Sequence, residues 1–278
     1  MMEGGPYLYA AALLSFGVIQ LVTQNFLGGL FALPPSLPLY IVWVYMTSGI
    51  FIIAAAGIFL KVQQQLAAAI AGSFFFLLFL FLHLPRLIAN IHNPVQWTAT
   101  FEVLALGSGA FVIAYFLSNG TYGRPEWIKT INTIGIAGRY LFALSLVIFA
   151  IQHIMYEPYI ESLIPSWMPV PILWSWLVIA GFLLGAFCLI TRIRLYLAAT
   201  LLGSMFLLWV LILHAPRAIS KLTIEAEWTS LCIALAVSGI AFSIPFTSTE
   251  ATGSGTRGPG ARGSGVAGFI QQKPPSFH

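Results

Sequence analysis

Apolar residues run along this chain in eight long stretches, near residues 9–31, 38–60, 66–89, 98–118, 135–157, 170–191, 195–218 and 228–248. Each stretch is almost free of charge and is bounded by a short polar or proline-containing break. About 20 apolar residues, rising 1.5 Å each, cover the roughly 30 Å of hydrocarbon in a bilayer. Inside that layer the backbone must satisfy its own hydrogen bonds, and here helices do so. The pattern therefore predicts an all-α membrane protein of about eight transmembrane helices. The first stretch lacks the basic residues that precede a cleaved signal sequence and runs on too long for its apolar core, so it reads as the first span.

Eight spans bring both termini to one side. On that side fall Lys61, Arg124, Lys129, Arg139, Arg192, Arg194, Arg257, Arg262 and Lys273, and on the other only Arg86, Arg217 and Lys221. That asymmetry favours cytoplasmic termini, as in the cytoplasmic (inner) membrane of a bacterium. Two segments interrupt the apolar pattern. Residues 119–134, with Gly120, Gly123 and Pro125, read as a cytoplasmic linker between a first unit, 1–118, and a second, 135–248. The tail, 249–278, is rich in Gly, Ser and Pro and too weakly apolar to order by itself; it is expected to be disordered or to lie along another subunit of a membrane complex.

Composition narrows the function classes. Only 7% of the residues are charged, against roughly 25% in an ordinary soluble domain, and the mean hydropathy is +0.92. The partner implied first is the lipid bilayer. The net charge of +4 is scattered over loops, with no aromatic-interleaved basic patch, so nucleic acid is not an expected partner. Cys188 and Cys232 sit apart within apolar segments and form no C-x-x-C. There is no phosphate-binding loop, Rossmann glycine pattern, H-E-x-x-H or G-x-S-x-G, and no aspartate anywhere.

The chain repeats itself. Shifted by 131 residues (214 minus 83), Leu66–Phe111 aligns without a gap on Leu197–Phe242. Gly72/Gly203, Ser73/Ser204, His83/His214, Pro85/Pro216, Arg86/Arg217, Trp97/Trp228 and Thr98/Thr229 match, so both copies read G-S, then H-x-P-R, then W-T. Upstream, the proline-bounded loop 33–38 aligns with 164–169, and a slip of two residues sets Gln20 opposite His153. Each half has an even number of spans, which makes the copies parallel repeats related by an axis along the membrane normal.

The second half has Arg139-Tyr140 opening a helix, Gln152-His153 near its end, the Ile164–Pro169 loop and the later His-x-Pro-Arg. In these motifs it resembles the DoxX family, and the first half looks like a diverged copy. The resemblance covers about residues 9–248 and implies two similar four-helix membrane units. It also implies an association with quinone-linked redox systems, since some members are subunits of thiosulfate:quinone oxidoreductases and others partner redox or assembly systems. Quinone is thus the cofactor that the resemblance suggests. Related groups perform disulfide–quinone chemistry, for which this chain lacks paired cysteines.

Both third helices run away from the terminal side and reach H-x-P-R, where proline removes an N–H and is expected to kink or stop the helix. His and Arg, three residues apart, share a face there. The candidate binding residues are Gln20, His83, Arg86, Trp97 and Glu102 in the first half and His153, His214, Arg217 and Trp228 in the second, where Glu225 and Glu227 stand at a helix entrance. Ionisable groups at membrane depth mark functional candidates. Three readings of His153 and His214 remain open: a hydrogen-bonded histidine that pins a helix end, a donor to quinone carbonyls in an apolar pocket, or a metal or haem ligand, for which only two ligands per site are apparent. Arg86 with Glu102 reads as a structural ion pair or as a proton relay toward His83. His92 reads as solvated, and Trp43, Trp167, Trp174 and Trp176, with Trp97 and Trp228, as interface anchors. Two function classes follow: a DoxX-like subunit of a quinone-linked redox system, or a non-catalytic structural or assembly subunit of a larger respiratory or photosynthetic complex.

Overall fold

The computed structural model describes residues 4–31, 33–118 and 126–244. The tail 249–278 and residues 119–125 of the polar linker lie outside them. Eight helical segments are long and apolar enough to cross a membrane: α1 Gly5–Thr23, α2 Tyr40–Phe59, α3 Gln64–Ala89, α4 Pro94–Phe116, α5 Glu126–Met155, α7 Pro171–Thr191, α8 Leu195–Ser220 and α9 Glu225–Ser243. A short helix, α6 Glu157–Leu163, connects α5 to α7. Among the described residues there is no strand. We call the face where α1 begins proximal and the opposite one distal.

Each half chains its helices side by side, α1 on α2, α2 on α3, α3 on α4, and likewise α5, α7, α8 and α9. The ring closes between halves, where α4 packs on α5 and α9 on α1, while α4 and α9 touch across the middle. Those two fourth helices are 83% and 67% buried against 33–50% for the other spans, so they form the shared core. Residues 1–248 are accordingly one compact unit.

The repeat is reproduced in backbone and packing. Leu39 and Val170, Lys61 and Arg192, and Gln63 and Arg194, each pair one repeat apart, hold the left-handed conformation at φ of 58° and 51°, 57° and 65°, and 50° and 49°. They lie at the ends of α2, α3, α7 and α8, where the chain reverses without glycine. A branched Cβ makes that conformation costly at Val170, by about 1–2 kcal/mol. Val170 is 59% exposed and loses little packing on substitution. Val170→Asn is therefore expected to stabilise the protein by about 1 kcal/mol, read as a higher thermal midpoint in detergent.

In lipid the apolar effect does not press helices together, so close packing and aromatic contacts must. The Phe16 and Phe51 rings lie 5.8 Å apart at 52°, and their counterparts Phe149 and Phe182 lie 6.1 Å apart at 54°. Phe51 and Phe75 stack at 5.4 Å and 28°, Phe182 and Phe206 at 5.6 Å and 29°. Each half thus carries the same phenylalanine stack, each pair contributing about 0.5–1.5 kcal/mol beyond its burial.

Three boundaries differ from the sequence expectation. The first span does not run to residue 31: α1 stops at Thr23, Gln24 turns left-handed at φ 54°, and Phe26–Phe31 folds back into the distal mouth of the first half. Leu27, Leu30 and Phe31 are buried there, with Phe26 stacked on Phe31 at 4.8 Å. Helix α5 begins at Glu126, inside the segment expected to be a linker. Proline neither stops nor breaks α3 and α8. Each helix widens into a π-helical turn, Phe79–His83 and Val210–His214, just ahead of Pro85 and Pro216, and then continues. The wider turn makes room for the proline ring against the carbonyl one turn back.

Candidate functional site at the distal face

The π turns aim the His-x-Pro-Arg side chains, and the two halves use them differently. In the first half, His83 is almost fully buried and its Nε2–H donates to the Leu30 carbonyl at 2.7 Å. Arg86 donates from Nη1 to the Phe31 carbonyl at 3.0 Å. Both thus hold the Leu27–Phe31 plug, whose carbonyls have left a helix and need donors. Thr100 on α4 donates to Gln96 one turn back at 2.6 Å and reaches the His83 carbonyl at 3.4 Å.

In the second half no such plug is present: α6 follows α5 and buries none of its residues. His214 makes no hydrogen bond among the described residues. Arg217 turns to Glu227 in a bidentate pair, Nε to Oε2 and Nη2 to Oε1, both at 2.9 Å, and Lys221 adds Nζ to Oε1 at 2.9 Å. Glu227 occupies the repeat position of Gln96, which explains why Arg86 has no equivalent carboxylate. The expected Arg86–Glu102 pair is not formed. Glu102 lies half-buried on α4, and the ion pairs among the described residues are those of Glu227 with Arg217 and Lys221. Reading Glu227 as an acid merely standing at a helix entrance missed its role: it is buried and tied to two cations.

Gln20 and His153 occupy matching places one turn beyond Phe16 and Phe149, again with different partners. Gln20 is buried, and its Oε1 accepts from Thr47 at 3.0 Å and Ser48 at 3.2 Å on α2. The corresponding positions of α7 are Val178 and Ile179, so His153 bonds its own helix, Nδ1–H to the Phe149 carbonyl at 2.8 Å, and sets its ring edge-on to Phe182 at 5.2 Å. Among the described residues it makes no hydrogen bond to a second helix. Gln20 Nε2 and His83 Nδ1 are buried without a hydrogen-bond partner. Among the described residues no three His, Cys, Asp or Glu side chains converge as metal ligands would.

The tryptophans act as a matched pair. Trp97 Nε1–H donates to the Ile91 carbonyl at 2.7 Å, and Trp228 to that of Leu222 at 3.1 Å, each securing the turn that precedes its helix. The halves also meet on this face. Gly28 of the plug donates its N–H to Glu225 Oε2 at 3.3 Å, and the other oxygen of Glu225 is bonded by Thr229. At the matching seam between α4 and α5, Gln152 reaches Thr98 at 2.9 Å and the Pro94 carbonyl at 3.3 Å instead. Beside it opens a largely apolar groove of about 310 Å³, walled by Trp97, Ile148, Ile151, Gln152 and Tyr156, with exposed His92 at its rim. Of the sequence candidates, this groove includes only Trp97. Sequence reasoning missed Gln152 as a lining residue, although it neighbours His153 in the motif that suggested the family.

A scan against protein-family models finds no match, and searches among curated proteins and among solved structures find none either.

Proposed function

We propose that this chain is a non-catalytic integral membrane subunit that docks within the bilayer on a larger respiratory or photosynthetic complex, with the His-x-Pro-Arg elements fastening its distal face. The observation that carries this reading is the use of the motif's donors: His83 and Arg86 bond backbone carbonyls of their own chain, and Arg217 is held by Glu227. Groups committed in this way close a fold and offer little to a substrate. The excess of cations that the sequence places on the proximal side supports that face as the cytoplasmic one, and on this reading the membrane is a bacterial inner membrane. The test is purification from the native membrane in mild detergent followed by subunit mass spectrometry. Stoichiometric large partners without a bound chromophore or quinone are expected; a lone protein carrying quinone, haem or metal overturns the reading.

A second reading is a DoxX-like subunit of a quinone-linked redox system, and two observations favour it. His214 makes no hydrogen bond among the described residues, and the uncharged groove beside Trp97 and Gln152 lies at the membrane boundary, where apolar walls with few polar groups suit a flat, lipid-soluble ring. On this reading, solvent extraction of the purified protein yields quinone, and His214→Ala abolishes quinone-dependent turnover while insertion is kept.

A further inference from the structure

One buried cation has no counter-ion among the described residues. Arg139 on α5 is 4% exposed. Its guanidinium lies 4.9 Å above the centroid of the Tyr140 ring and donates from Nη2 to the Tyr140 hydroxyl at 3.1 Å, while Nε is buried with no partner. A guanidinium has five N–H donors, and a phenol oxygen supplies no charge to balance them. Every carboxylate whose side chain is described belongs to the distal part of the fold: Glu102, Glu157, Glu161, Glu225 and Glu227 sit on the distal portions of α4 and α9 or on α6. Among the described residues, the proximal turns bring only more cations, Lys61, Arg192 and Arg194. Burying an unpaired charge costs several kcal/mol, so the site calls for an anion that the described residues do not supply.

The depth of Arg139 says which anion. Gly138 and Gly5 play the same part in their halves. An added Cβ on Gly5 would meet Ser243 and Gly239 at 2.6 and 2.7 Å, and one on Gly138 would meet Ser108 and Val112 at 2.5 and 3.5 Å. These partners are one repeat apart, so Arg139 lies level with Pro6, in the first turn of α1. That is the proximal boundary of the bilayer, where lipid phosphates lie. Tyr140 is 44% exposed, and since its oxygen accepts from Arg139, its O–H is left to donate outward.

We propose that Arg139 and Tyr140 form a receptor for a phosphate group, that of an anionic phospholipid headgroup at the proximal boundary. The guanidinium supplies the charge and the phenol O–H a second hydrogen bond. The first half carries Pro6 and Tyr7 at the matching positions, so the receptor belongs to the second half alone.

The test uses the full chain, delipidated in detergent and titrated separately with phosphatidylglycerol, phosphatidylcholine and inorganic phosphate while the thermal midpoint is followed. Wild type is expected to be stabilised by phosphatidylglycerol beyond phosphatidylcholine. Arg139→Gln should weaken that response about tenfold in apparent affinity, as the loss of a charge-assisted bond predicts, with Arg139→Lys intermediate. Should Arg139→Gln fail to fold, Tyr140→Phe keeps the ring beneath the guanidinium and removes only the hydroxyl, and it should weaken the same response several-fold. An unchanged response in Arg139→Gln, or in Tyr140→Phe where that variant stands in, overturns the receptor. Equal responses to the two lipids overturn the anionic headgroup, and a full response to inorganic phosphate shows that the source is not lipid.

Discussion

Gly239→Leu is expected to lower stability by about 3 kcal/mol, the upper end of what overpacking a well-filled site costs, and to prise α1 from α9. A Cβ at this position would lie 2.5 Å from the Gly5 carbonyl oxygen, 2.7 Å from the Tyr9 nitrogen and 3.1 Å from the Leu8 Cβ. Two of those three atoms are backbone, so no side-chain rotation relieves the clash, and the helix itself must retreat. That retreat breaks more than one contact. Tyr9, on α1 beside the seam, is fully buried and its hydroxyl reaches the Leu106 carbonyl on α4 at 3.2 Å, so displacing α1 also loosens the shared core. The comparison variant is Gly49→Ala on α2, where an added Cβ meets nothing within 4 Å. It should be neutral or stabilising by up to about 1 kcal/mol through helix propensity. Thermal unfolding in detergent reads both. A Gly239→Leu protein that melts with wild type would show that α1 is not held by this close approach.

The sequence carried the architecture because it was written twice. Eight nearly uncharged stretches and a repeat of 131 residues were enough to expect parallel four-helix halves, and the left-handed turns and phenylalanine stacks recur at that same spacing. What periodicity hid was the plug. In a membrane chain the run Phe26–Phe31 is as apolar as the helix before it, and hydropathy does not separate a buried turn from another turn of helix. The π turns were hidden for a related reason, since proline announces a disturbance without saying whether the helix ends or widens. The Arg217–Glu227 pair needed the geometry of a helix hairpin: the residues are ten apart (227 minus 217) on consecutive helices. The Arg86–Glu102 pairing failed because a nearer set of acceptors, the freed carbonyls of the plug, became visible only once α1 had ended early. Gly5 and Gly138 were legible in principle, because the two-residue slip that set Gln20 opposite His153 also sets these glycines opposite each other.

The two motif histidines should respond unequally to the same substitution, which tests whether the first of them is a fastener. His83→Ala removes the donor at 2.7 Å from the Leu30 carbonyl and leaves that oxygen buried without a partner. An unsatisfied buried acceptor costs about 1–3 kcal/mol, and the space left by the ring adds to it, so a loss of about 3 kcal/mol is expected. Because Arg86 grips the next carbonyl, that of Phe31, the plug should loosen as one piece and Phe26–Phe31 become accessible to protease while the membrane spans remain protected. His83→Gln, whose amide can donate from a similar place, should recover part of the loss. His214→Ala removes a half-buried ring with no hydrogen bond among the described residues, and should cost less than about 1 kcal/mol. Equal losses at the two positions would mean that the histidines serve the π turns alike, with the plug incidental. A loss confined to His83 would mean that one ancestral motif now closes the first half and leaves the second half's imidazole available for a ligand or a partner.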